Sequence, residues 1–144
     1  MIRRFALLMF TALLLAACSN PADIKTPVPP GTTEYRTGSA AQADAIIADW
    51  QQVAWAEMAA DGVKPETKEE SVFVTAQSLT ELEAYYDASL REGGWVALNR
   101  MPGNTGDVLL SGYDHGTVAL VIGALDAAKF GGTGTIVYTL RGHK

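Results

Sequence analysis

TVALVIGAL, residues 117–125, is the stretch on which the fold turns. A half-exposed strand alternates apolar with polar residues. Here both alternating sets, Val118/Leu120/Ile122 and Ala119/Val121/Leu125, are apolar, so the strand needs cover on both faces. That cover comes either from the chain itself, with the first helix on the far face, or from a second protein. Large bare apolar patches are rare on monomers, which favours cover from within.

Outward from this strand the pattern stays strand-like. Asp114-His115-Gly116 reads as the turn before it, and a loop containing GGTG follows it. Further runs extend from Trp95 to Met101, from Asp107 to Tyr113 after a PGNTG turn, and from Thr135 to Arg141. Short turns between successive strands predict an antiparallel meander. A further short strand is expected over Ser71–Ala76.

Two helices precede the meander. Ser39-Ala40-Ala41-Gln42 reads as a capping box, in which a serine hydroxyl and a glutamine three residues on satisfy free amides reciprocally. The helix it opens runs to about Ala60 and closes at Gly62. Ala43, Ile46, Ile47, Trp50, Val53, Ala54 and Met58 recur on one face at helical spacing. Ser78-Leu79-Thr80-Glu81 is a second capping box, opening a helix to about Glu92 with Leu79, Leu82, Tyr86 and Leu90 as its stripe. The expected class is α+β, order α-β-α-β-β-β-β, with two helices packed on a mostly antiparallel sheet.

The N-terminus carries a different message. Arg3 and Arg4 precede the apolar run Phe5–Leu15, then small residues and Cys18, the only cysteine. This is the layout of an export signal, and the run is too short for a bilayer-spanning helix. Leu15-Ala16-Ala17-Cys18 resembles the lipobox of bacterial prelipoproteins. The resemblance implies removal of residues 1–17, a diacylglycerol on the Cys18 sulfur, and an anchor on the extracytoplasmic side of a bacterial membrane. With Ser19 after the cysteine, the resemblance implies the outer membrane, periplasmic face, in a diderm. Two or three acyl chains make such an anchor effectively permanent. A lone unmodified thiol in an oxidising compartment is the less economical reading.

Behind residue 17 the chain holds nine Lys/Arg against sixteen Asp/Glu, a net charge of −7. Nucleic acid is therefore a poor partner, since phosphates demand a positive footprint. Residues 18–38, lipidated cysteine and tether, include four of the six prolines and are expected to extend rather than fold. Residues 39–144 then form one domain. Within it, YYDASLREGGW at residues 85–95 resembles a helix-to-strand junction of small uncharacterised envelope lipoproteins, and that resemblance implies no active residues.

Catalytic patterns fit poorly. Of the two histidines, His115 sits in a turn and His143 near the chain end, and no G-x-S-x-G surrounds a serine. There is no H-E-x-x-H, cysteine pair or calcium-loop pattern. Glu69-Glu70 and Glu81/Glu83 read as solvated or capping groups. In FGGTGT, residues 130–135, the glycines precede a strand, which is the wrong order for a phosphate loop. No cofactor and no metal are implied.

One aromatic stands apart. At 100° per residue Trp55 falls about 130° from the centre of its helix stripe. It is the first candidate for a partner contact, with Gln51 and Ala59 beside it. The alternative is that this side of the helix meets the tether or a loop. The expected function is a lipid-anchored, non-catalytic binding or assembly module, touching the membrane through its anchor and another envelope protein through its domain. Two other readings stand beside it: a small envelope enzyme using dispersed carboxylates, and a small-ligand carrier with a cavity between helices and sheet.

Overall fold

A computed structural model describes residues 24–144. Cys18 and the export signal lie outside the described residues. The elements are β1 (Thr33–Glu34), α1 (Ala41–Ala60), β2 (Glu69–Thr75), α2 (Leu79–Glu92), β3 (Val96–Asn104), β4 (Val108–His115), β5 (Val118–Asp126) and β6 (Thr135–His143). All strands belong to one antiparallel sheet of order β1-β2-β6-β5-β4-β3. The α+β class and the α-β-α-β-β-β-β order hold, with the two-residue β1 added in front.

The doubly apolar strand is explained by one helix on each face. Ala119, Val121 and Leu125 pack with Ala43, Ile47, Trp50, Ala54 and Met58 of α1. Val118, Leu120, Ile122 and Ala124 pack with Leu79, Leu82, Tyr86 and Leu90 of α2. Every residue from Val118 to Leu125 is buried, each large side chain contributing about 1.5–3 kcal/mol. α1 approaches the sheet closely at Gly123, where a Cβ would lie 2.5 Å from the Trp50 ring. Glycine leaves the room that the indole occupies against the sheet.

The ends of the helices differ from one another. α2 has the expected capping box: Ser78 Oγ accepts from the Glu81 amide, and the Glu81 carboxylate accepts from the Ser78 amide at 2.7 Å. α1 does not. Its N-cap is Ala40, without a side-chain cap, and Ser39 Oγ donates to the Arg36 carbonyl instead. Asp44, in the first turn, accepts from the Gly38 amide and the Tyr35 hydroxyl, both at 2.8 Å. A carboxylate there also suits the positive end of the helix dipole. At the other end, Gly62 at φ +84° sends its amide to Ala59 and Val63 sends its amide to Met58, a Schellman closure.

Three further expectations are corrected. Val53, placed in the α1 stripe, is 47 % exposed, because the sheet contacts a narrower face of the helix. The PGNTG turn begins later: β3 continues through Pro102 and Gly103 to Asn104, with a bulge between Leu98 and Gly103. An edge strand tolerates proline because one side has no ladder to donate to. Residues 24–38 are not a free spacer. Ile24 packs against the α2-side core, Pro29 is buried, Tyr85 donates to the Val28 carbonyl, and β1 pairs with β2. The apolar groups scattered among the prolines supply the burial that the composition hides.

Candidate functional site

Trp55 lies on the α1 side, half-buried and packed against that core. The turn Pro65–Thr67 carries the chain up beside the helix and delivers Lys68, whose Nζ stands 5.6 Å from the indole centroid. This is cation–π distance. Gln51 and Ala59 share the helix row with Trp55; Gln51 is half-buried and Ala59 exposed. The structure therefore keeps the three together, while the indole forms a shelf beside a loop rather than projecting alone.

Lys68 extends the surface into the sheet. Its ammonium pairs with Glu70 at 3.2 Å, and Glu70 accepts the Tyr138 hydroxyl at 2.6 Å. Tyr138 is fully buried under α1. Burial first, and then the Glu70 carboxylate, push its pKa well above the ordinary tyrosine range. The row Trp55–Lys68–Glu70–Tyr138 thus joins a half-exposed ring to the core through a charge pair. Sequence reasoning missed Lys68, Glu70 and Tyr138. The available signal was strand alternation, which sends Glu69 and Glu70 to opposite faces, together with the need of a buried tyrosine hydroxyl for a partner.

The groups weighed for chemistry are occupied otherwise. Asp114 and His115 are successive strand residues on opposite faces. Asp114 accepts from the Gly116 amide at 2.7 Å and pairs with Lys144, while His115 meets the Trp95 ring edge-on at 5.4 Å. Hydrogen bonds from the Ser78 amide and hydroxyl hold the Glu81 carboxyl below the usual range. Asp61 is lowered too, by the Arg100 guanidinium that reaches it from the β3 bulge. Among the described residues there is no group of three or more His, Cys, Asp and Glu placed to hold a metal ion. No helix among them is long and apolar enough to cross a membrane.

Comparisons with protein-family models, curated proteins and solved structures return no match. The functional reading rests on the residues alone.

Proposed function

We propose that the chain is a lipid-anchored, non-catalytic binding or assembly module of the bacterial envelope. The observation that carries this is the order of Arg3-Arg4, apolar run, small residues and Cys18. Lipid on Cys18 would hold the domain close to the bilayer. Five residues lie between Cys18 and Ile24, which already lies on the domain, and the six steps from one to the other span at most about 22 Å. The contact surface is the Gln51, Trp55, Ala59 row. A half-buried tryptophan stacked with a lysine offers a rigid aromatic anchor at low entropic cost.

The experiment is photo-crosslinking in intact cells with the reactive residue in place of exposed Ala59, one turn from Trp55, and a control in place of exposed Ala88 on α2. One discrete protein adduct from position 59 alone is expected. The same smear from both positions would remove this surface from the account.

A further inference from the structure

Neither hydrophobic cluster draws a buried member from residues 24–35. The core closes without this segment, which lies on its outside with Pro29 as its one buried residue. Ile24 and Tyr35 pack against the clusters as partly buried side chains. Clefts of about 400 and 410 Å³ adjoin its two ends, one lined by Lys25, Thr26 and Val28, the other by Thr33, Glu34 and Tyr35. A chain with open space beside it lacks partner atoms there and forfeits dispersion contacts.

The contacts that seat the segment are modest and spread along it. Thr33 and Glu34 pair with Val74 and Phe73 of β2, and the Tyr35 amide donates to the Val72 carbonyl at 3.1 Å. The Tyr85 hydroxyl of α2 donates to the Val28 carbonyl at 2.9 Å. Pro27, Pro29 and Pro30 limit the freedom the segment gains on release, so these contacts suffice to keep it seated. Its C-terminal end is fixed separately. The Ser39 amide and hydroxyl both donate to the Arg36 carbonyl, at 3.2 and 2.6 Å, and the Gly38 amide donates to Asp44 of α1 at 2.8 Å. A seated arm thus joins a pinned turn.

We propose that residues 24–35 form a releasable strap, docked on β2 and α2 at rest and opening as one unit about the turn 36–39 while the domain stays folded. Segments with few buried apolar contacts are the ones that open well below the free energy of global unfolding. Here the two clusters stay intact when the strap leaves, because their buried members all lie outside it.

Release changes the reach of an anchor at Cys18. With the strap seated, the chain from Cys18 to Ile24 spans at most about 22 Å; with it open, the eighteen steps from Cys18 to Arg36 span at most about 65 Å. The domain then has two stand-off distances from the bilayer, and the prolines keep the long form extended. The stand-off rests on the lipid-anchor reading. The opening itself does not.

Hydrogen exchange of the full chain in neutral detergent reads the opening. The Tyr35 amide should exchange at least about a hundredfold faster than the slowest amides of β5 and β6. Tyr85→Phe keeps the ring and removes the bond to Val28, and Ile24→Ala trims the far end of the strap. Each should speed exchange at Tyr35 roughly three- to tenfold and leave the β5 and β6 amides unchanged, since a unit transmits the loss of a distant contact. Exchange at Tyr35 in step with β5 and β6, or indifferent to both substitutions, would overturn the strap whatever Cys18 carries. An unmodified Cys18 beside the expected exchange would overturn the stand-off alone.

Discussion

At the scale of the residue, two serines with the same local pattern do different work. Ser78 caps α2 and is answered by Glu81, whereas Ser39 lies one residue before the N-cap of α1 and turns back to Arg36. The motif S-x-x-E/Q names a candidate, and the tertiary path of the preceding chain decides whether it is used. Here Tyr35 and Gly38 bind Asp44, which leaves the hydroxyl of Ser39 facing the wrong way. Ser78→Ala should therefore cost about 1 kcal/mol in urea unfolding. Ser39→Ala should stay within about 0.5 kcal/mol, as expected of an exposed side chain away from a cap. Equal losses for the two would contradict the assignment of caps.

At the scale of the element, periodicity was the reliable guide, and failures came where burial depends on distant partners. The α2 stripe was legible to the residue because Leu79, Leu82, Tyr86 and Leu90 recur at helical spacing, and these four are the buried residues of the helix. The α1 stripe was read one residue too wide at Val53, since helix width against a twisted sheet is a tertiary property. The doubly buried β5 was legible as needing two covers, and only the three-dimensional structure divides them between α1 and α2. Residues 24–38 were the largest miss. Proline content signals extension, and extension is also what a strand added to an edge requires. The Tyr35 amide donates to the Val72 carbonyl at 3.1 Å. It should exchange at least tenfold more slowly than the amides of Arg36 and Thr37 in a hydrogen-exchange experiment. Equal, fast exchange would return this segment to the status of a spacer.

At the scale of the whole molecule, the two faces of the sheet bury tyrosines, Tyr86 on one and Tyr138 on the other, whose ionisation should weaken the fold at alkaline pH. Burial raises the pKa of Tyr86 and of Tyr138 well beyond the ordinary value near 10, and Glu70 adds to the shift at Tyr138. A tyrosine raised in the fold contributes stability that is intact below the unfolded pKa and lost as pH rises toward the folded one. Above about pH 10 the unfolded chain has released protons that the folded chain retains. Stability should then fall by about 1.4 kcal/mol per pH unit for each of the two. Tyr138→Phe should flatten that slope by one tyrosine's share, at a cost near neutrality of about 1–2 kcal/mol for its bond to Glu70. A slope unchanged by the substitution, measured by urea unfolding between pH 9 and 11 (an interval of about two units around the reference value), would contradict this.

The proposed anchor belongs to the same scale and rests on the sequence alone: a lipid site is an enzymatic address, written in a short ordered run rather than in a packed shape. The proposed contact row rests on the sequence only in part. Trp55 stood out by its angle on the helix, while its partner Lys68 arrives from a turn whose path the sequence does not reveal. The most direct measurement is the intact mass of the protein extracted from membranes of its own cells. A mature chain beginning at Cys18, heavier by a diacylglyceryl group and optionally by a third acyl chain, is the predicted result. A chain that still carries residues 1–17, or one cut there with Cys18 unmodified, would contradict the account of this protein as a lipid-anchored envelope module.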